Sequence, residues 1–195
     1  MLVDGYDMVL DLDESRGSYL RDARTGTDYL DFFTFFASSP LGMNHPALAG
    51  DPDFTARLGR VAIHNPSNSD VYTEEMAEFV QTFSRVGIPE HLPYAFFVAG
   101  GALAVENAMK VAFDWKVQKN YAKGYRHERG HKILHFEHAF HGRSGYTLSV
   151  TNTEPNKVRY FPKFDWPRVS SPAMEFPLTA EALARTEHAE RMAIA

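Results

Sequence analysis

The stretch Phe97-Val98-Ala99-Gly100-Gly101-Ala102-Leu103-Ala104-Val105-Glu106-Asn107-Ala108-Met109-Lys110 constrains this chain most: an apolar run meets two glycines and continues as a strong helix former. Residues 93–99 read as a buried, aromatic-rich strand, and Gly100-Gly101 permit a tight turn with close backbone approach. A helix over residues 102–118 is expected next, with Leu103, Met109, Ala112 and Phe113 facing a sheet and Lys110, Lys116 and Lys119 in water. Its leading amides and the positive end of its dipole suit a phosphate dianion. An ordinary strand-to-helix turn uses the same residues, and the glycine pair alone does not separate the two.

The rest of the chain supplies parts for a sheet flanked by helices. Over residues 7–33, Val9, Leu10 and Leu12, then Tyr19-Leu20-Arg21-Asp22 and Asp28-Tyr29-Leu30-Asp31, read as short strands, the last two joined by the turn former Arg24-Thr25-Gly26-Thr27. Residues 32–46 are rich in aromatics and breakers and read as a packing loop. After Tyr72 a helix is expected, capped by Thr73, with Glu74 and Glu75 in its first turn and Met76, Phe79, Val80 and Phe83 on one core-facing side. His131-Lys132-Ile133-Leu134-His135-Phe136 reads as a strand, and strand, helix, strand implies a right-handed parallel crossover. Ligands of such sheets bind beyond the carboxyl ends of the strands. Residues 151–172, with Pro155, Pro162, Pro167 and Pro172, read as a long loop of functional or interfacial kind. A final helix is expected over residues 178–195, capped by Thr179.

Composition excludes several classes. The 195 residues, 44% of them hydrophobic with 15 Phe and 9 Tyr, suit a packed globular protein rather than a disordered one. A formal net charge of -5 offers no basic footprint for nucleic acid. Zero cysteines rule out disulfides, zinc-thiolate sites and thiol catalysis. No apolar run approaches the roughly 20 residues that span a bilayer, and Met1-Leu2-Val3-Asp4-Gly5 lacks the basic-then-hydrophobic form of a leader. A cytoplasmic protein without a membrane partner is expected.

The second segment rich in chemistry is His135-Phe136-Glu137-His138-Ala139-Phe140-His141-Gly142-Arg143-Ser144-Gly145-Tyr146-Thr147. Its histidines fall three apart, which would align them on a helix, but the strand reading and Gly142 oppose that geometry, so no metal is expected. Phe140 offers a flat stacking surface and Arg143 a bidentate clamp for carboxylate or phosphate. A buried Phe and a surface Arg are the alternative.

Residues 100–110, followed by Phe140-His141-Gly142-Arg143-Ser144-Gly145-Tyr146-Thr147-Leu148-Ser149, resemble the pyridoxal-phosphate-dependent aminotransferases of class III. Tyr29-Leu30-Asp31-Phe32 and Leu41-Gly42-Met43-Asn44-His45-Pro46 extend the resemblance. Phe35-Phe36-Ala37-Ser38-Ser39, Asn65-Pro66-Ser67-Asn68-Ser69-Asp70-Val71-Tyr72, Thr151-Asn152-Thr153 and Phe161-Pro162-Lys163-Phe164-Asp165-Trp166-Pro167-Arg168 point, within that family, to members acting on the ε-amine of lysine.

The resemblance implies an α/β, fold type I PLP-dependent transferase. Residues 1–46 would belong to a small amino-terminal α+β lobe, and residues 47–195 to the first part of a large domain with a mixed sheet flanked by helices. Pyridoxal 5'-phosphate is the implied cofactor. Gly101 and Ala102 would donate backbone N–H groups to its phosphate, and Phe140 would stack on its ring. Arg143 would hold the α-carboxylate of L-lysine and of 2-oxoglutarate, Phe36 would shape the substrate side, and a homodimer is implied. The family's Schiff-base lysine and the acidic partner of the pyridine nitrogen match nothing in these residues, so no catalytic residue is assigned and an amino-terminal portion, inactive alone, is expected. Two alternatives stand beside this one: a class III enzyme for ornithine or 4-aminobutyrate, and a noncatalytic truncated binding module.

Overall fold

In the computed structural model, residues 5–171 and 173–194 are described, and they fall into two compact units, Met1–Gly87 and Ile88–Ala195. The first holds strands β1 (Leu10–Arg16), β2 (Tyr19–Asp22) and β3 (Asp28–Leu30) and helices α1 (Thr34–Ala37), α2 (Pro46–Ala49), α3 (Pro52–Ala62) and α4 (Glu74–Val86). The second holds α5 (Gly101–Ala122), β4 (His135–Phe136), α6 (Gly145–Val150), α7 (Pro155–Val158), β5 (Arg168–Val169) and α8 (Ala180–Ile194). Among the described residues no helix is long and apolar enough to cross a membrane.

The expected meander forms: β1, β2 and β3 make an antiparallel sheet in that order, with β2 and β3 joined through the turn at Gly26. Asp22, almost fully buried at the end of β2, organises that turn. Its Oδ1 accepts the N–H groups of Val9 and Arg24, both at 3.1 Å, and its Oδ2 accepts the Thr25 hydroxyl at 2.9 Å. The motif at residues 41–46 docks on the same sheet: Gly17 and Met43 exchange backbone hydrogen bonds at 2.8 and 2.9 Å, and Asn44 Nδ2 donates to the carbonyls of Leu12 and Ser15.

Helix α4 starts where expected, with Thr73 Oγ1 accepting the Met76 N–H at 3.1 Å. Its apolar side, however, is only partly covered: Met76 and Phe83 are half-buried, while Phe79 and Val80 are exposed, as are Phe54, Leu58 and Val61 on α3. Helical periodicity establishes amphipathicity and leaves open what covers the apolar stripe.

The second unit corrects two expectations. Residues 93–99 carry no strand, and residues 131–136 form one only at His135–Phe136. Strand propensity needs a ladder partner to be realised, and among the described residues 93–99 find none. The parallel pair that does form joins β4 to β5, with His135 opposite Arg168 and Phe136 opposite Val169. Its crossover carries α6 and α7 rather than α5.

Residues 151–171, read as part of a long loop, are largely irregular and also deliver a side chain to the core. Trp166 is buried with Met109 and Val150, against Val105, Phe113, Ile133 and Tyr146. Phe164 stacks on Trp166 at 5.1 Å and 11°, and Phe113 meets Tyr146 edge-on at 5.5 Å. Burying each such side chain contributes about 1.5–3 kcal/mol. Met109 and Phe113 thus face inward, whereas Leu103 and Ala112 do not; Lys110, Lys116 and Lys119 are exposed as expected. Helix α8 is capped by Thr179 Oγ1, which accepts the Ala182 N–H at 3.2 Å. Pro172 and Ala195 of the expected loop and helix lie outside the described residues, as do Met1 to Asp4 of the start.

The Arg24 amide, the Val9 amide, the Thr25 hydroxyl and the Arg24 charge, opposed by burial, hold the Asp22 carboxyl below its ordinary value. The folded form therefore gains stability above the unfolded value of about 3.9 and loses it as pH falls from there through the lower folded value. Thermal unfolding from pH 7 to pH 2.5 is expected to show a lower midpoint for Asp22→Ala at neutral pH and a gap to wild type that closes below about pH 4. A gap independent of pH would remove the carboxylate from this role.

Candidate functional site

The amino ends of helices α3, α4 and α5 differ. Asp51 Oδ1 caps α3 by accepting the Asp53 and Phe54 N–H groups, and Thr73 caps α4, which also carries Glu74 and Glu75 in its first turn. These side chains absorb the positive end of each helix. The 22-residue α5 has neither device: its cap is Gly100, no side chain accepts its leading amides, and its first turn holds no acid. Gly100 has φ +96°, which a side chain would strain, and a Cβ built at Gly100 or Gly101 meets no atom within 4 Å. The leading N–H groups of α5 thus have no side-chain acceptor, and the backbone at Gly100 and Gly101 borders open space, an arrangement that can receive an anion.

A loop after β4 is mounted against this end. Gly142 lies so close to α5 that a Cβ there would come 2.6 Å from Ala102 Cβ and 2.9 Å from Thr147 Oγ1, and its φ is +125°. One turn further along α5, buried Glu106 accepts the Ser144 hydroxyl at 2.8 Å and the Thr147 N–H at 3.1 Å through Oε1. Glu106 thereby caps α6 from outside, while Thr147 Oγ1 accepts the Ser144 N–H at 3.1 Å. On the loop's other side, Thr151 and Asn152 bond to residues 137–142.

Four of the five expected site residues thus belong to one neighbourhood of the second unit: Gly101 and Ala102 on α5, Phe140 and Arg143 on the loop that touches it. The Phe140 ring is 58% exposed. Arg143 is exposed and, among the described residues, makes no hydrogen bond or ion pair, so its guanidinium fork is free for a carboxylate. The alternative of a buried Phe does not hold.

Phe36 belongs to the first unit and is 90% exposed. It sits in α1, which is a left-handed turn: Thr34, Phe35, Phe36 and Ala37 have φ of 48°, 49°, 57° and 63°. Left-handed backbone costs about 1–2 kcal/mol per non-glycine residue. Asp31 Oδ1 holds the turn by accepting the Phe33 and Thr34 N–H groups at 2.8 Å, and the Phe33 ring packs against Tyr6, Phe35 and Phe36. Stored strain of this kind gathers at binding segments.

Of the three histidines, His135 is tied into the β4–β5 pair. Arg168 Nε donates to His135 Nε2 at 2.8 Å, which makes Nε2 the acceptor and leaves the proton on Nδ1, facing the Ile133 carbonyl at 3.3 Å. Both nitrogens are engaged, and no metal-holding cluster occurs among the described residues.

The class III aminotransferase family model matches residues 2–194. The chain belongs to the class III aminotransferases. It is 59% identical over 187 residues to the L-lysine-epsilon aminotransferase of Mycobacterium tuberculosis, covering 96% of this chain and 42% of that protein. Identity to the L-lysine-epsilon aminotransferase of Amycolatopsis lactamdurans is 56% over 194 residues, covering 100% and 43%. The solved lysine aminotransferase of M. tuberculosis superposes with a TM-score of 0.89 at 56% identity, over 100% of this chain and 46% of that one. The chain therefore spans under half the length of these relatives. Class III aminotransferases are fold type I proteins that use pyridoxal phosphate. The open, uncapped α5 end, the exposed ring and the free fork fit that group.

Glu106, Gly142, Thr151 and Asn152 are site-building residues that sequence reasoning does not single out. A glutamate among small residues on α5 is the only local signal, since its partners lie 38 and 41 residues away. Glu106→Ala leaves the Thr147 N–H buried without a partner and is expected to cost about 1–3 kcal/mol, with Glu106→Gln, which keeps an acceptor oxygen, much nearer wild type in denaturant unfolding. Gly142→Ala is expected to cost about 1–3 kcal/mol by overpacking against Ala102. Wild-type midpoints for both Ala variants would mean that the loop is not mounted on α5.

Proposed function

We propose that the complete protein transfers the ε-amino group of L-lysine to 2-oxoglutarate in a pyridoxal-phosphate-dependent reaction, and that these residues supply its phosphate cup, ring platform and carboxylate clamp. The contact of Gly142 with Ala102 carries the proposal, because it sets Phe140 and Arg143 beside the uncapped amino end of α5. The identity of 59% to an L-lysine-epsilon aminotransferase favours lysine as donor.

Pyridoxal phosphate, when bound, supplies the electron sink and the carbonyl that takes up and returns the amino group. The Gly101 and Ala102 N–H groups hold its phosphate, helped by the dipole of α5. Phe140 stacks on its ring and limits tilting. Arg143 grips the α-carboxylate of lysine, so that the reacting end is the amine at the far end of the chain. The same fork then receives 2-oxoglutarate, and Phe36 shapes the substrate side. The products are 2-aminoadipate 6-semialdehyde, which cyclises to 1-piperideine 6-carboxylate, and glutamate.

In this proposal residues 1–46 contribute a small lobe and residues 47–195 begin the large cofactor domain. The complete protein is a cytoplasmic homodimer, and residues 1–195 do not turn over substrate alone.

Steady-state kinetics of the complete protein test this. Lysine is expected to be used in preference to ornithine and 4-aminobutyrate. Arg143→Ala should lower kcat/KM for lysine by roughly 10- to 150-fold, mainly through KM, matching the 1.5–3 kcal/mol of a charged hydrogen bond. Phe140→Ala should release cofactor more readily on dialysis. Unchanged kinetics in Arg143→Ala would remove the clamp, and absence of transamination by the complete protein would leave a binding module.

A further inference from the structure

Between Phe140 and Arg143 lie only His141 and Gly142, so the angle and spacing of ring and guanidinium are set by the backbone of those two residues. That backbone has no ladder or helix to hold it. Beside the packing of Gly142 on α5, it is held by one hydroxyl: Thr151 Oγ1 accepts the His141 N–H at 2.9 Å and donates to the Gly142 carbonyl at 2.6 Å. The next residue secures the other side of the ring, with the Asn152 N–H on the Ala139 carbonyl and Nδ2 on the Glu137 carbonyl, both at 2.7 Å.

Thr151 is 1% exposed and follows α6 directly, in extended conformation at φ -93° and ψ 130°. Ending a helix requires no hydroxyl at such a position. Packing does not require one either, since valine fills nearly the same volume. Both hydrogen bonds of the Thr151 hydroxyl go to the dipeptide between the two contact residues. The two bonds hold the peptide groups at either end of that dipeptide, Phe140–His141 through its N–H and Gly142–Arg143 through its carbonyl, so one hydroxyl ties together the backbone next to each contact residue.

We propose that Thr151 is a positioning residue for cofactor and substrate: its hydroxyl sets the disposition of Arg143 relative to Phe140, with Asn152 fixing the ring side of the loop. This rests on the roles proposed for Phe140 and Arg143. It does not follow from them, because a loop mounted on Gly142 and Glu106 alone could present both side chains without Thr151.

The test uses the complete protein loaded with pyridoxal phosphate, as wild type, Thr151→Val, Thr151→Ser and Asn152→Ala. The readouts are the visible circular dichroism of the bound cofactor, its dissociation constant, KM and kcat for lysine and 2-oxoglutarate, and the thermal midpoint. Thr151→Val is expected to reduce the cofactor's dichroic band and to raise KM for both carboxylate substrates by roughly 10- to 100-fold, the scale of an ångström-sized misplacement. Thr151→Ser, which retains the oxygen, should return the dichroic band and KM to within about three-fold of wild type. Asn152→Ala should weaken cofactor binding more than it raises KM.

Wild-type dichroism and KM in Thr151→Val overturn the inference. So does a Thr151→Ser variant as impaired as Thr151→Val, since a role in packing alone would not be rescued by the oxygen. If Thr151→Val does not fold, Asn152→Ala decides, and unchanged cofactor affinity there overturns the inference. Phe140→Ala and Arg143→Ala are measured alongside. Silence of those two defeats the parent proposal, whereas their impairment with a silent Thr151→Val defeats this inference alone.

Discussion

The approach of Gly142 to Ala102 is the constraint on which the second unit depends. Any side chain at residue 142 would enter the space of Ala102 Cβ and Thr147 Oγ1, so the chain crosses α5 there as bare backbone. Ser144, two residues on, then meets Glu106, four residues beyond Ala102. Residues 142 and 144 thus meet an i, i+4 pair on one side of the helix. Register is fixed at two points, and Arg143, between them, is left outward. Helix α6 inherits its start from this arrangement. With six residues it is far too short to hold itself, and it persists because Glu106 caps it and Val150 is buried with Met109 and Trp166.

What is legible in the sequence is local. The turn at Gly26, the cap at Thr73 and the cap at Thr179 each depend on residues within a few positions of one another, and each forms as expected. Residues 93–99 do not form their strand because a strand is a relation between two segments, and their aromatic content names no partner. Trp166 reads as part of a loop because its neighbouring prolines mark irregular backbone, yet irregular backbone can still deliver a ring to the core. The left-handed turn at residues 34–37 has no signal at all, since none of its four residues is glycine. Of the site, the glycine pair, Phe140 and Arg143 are noticeable from type and pattern, but their proposed roles, and those of Ala102 and Phe36, come from the family resemblance. The residues that hold them are not noticeable in this way: Glu106, Thr151 and Asn152 act across separations of 9 to 41 residues.

The charges follow the same division between support and contact. Arg57 is paired with Glu78, and Arg185 with Glu175; in each case the acid raises the arginine's already high pKa and the arginine lowers the acid's. Such exposed pairs contribute little to stability, and they close the fork to other partners. Arg143 and the amino end of α5 are positive groups left without an internal acid. The fold caps α3 and α4 with their own side chains and leaves the amino end of the long α5 without one.

Two anionic groups would meet there, a phosphate at the helix end and a carboxylate at the fork, and they would repel each other unless held apart. Spacing is therefore as important as charge. The helix end is fixed by 22 residues of continuous hydrogen bonding, but the fork hangs on a loop of irregular backbone. Distance between the two anion sites is then only as well defined as that loop's mounting. Hydrogen bonds between the loop backbone and the Thr151 hydroxyl and Asn152, with the close approach of Gly142, constrain it without using the side chains of Phe140 or Arg143. Those two stay free to make contact because neither is asked to support the structure.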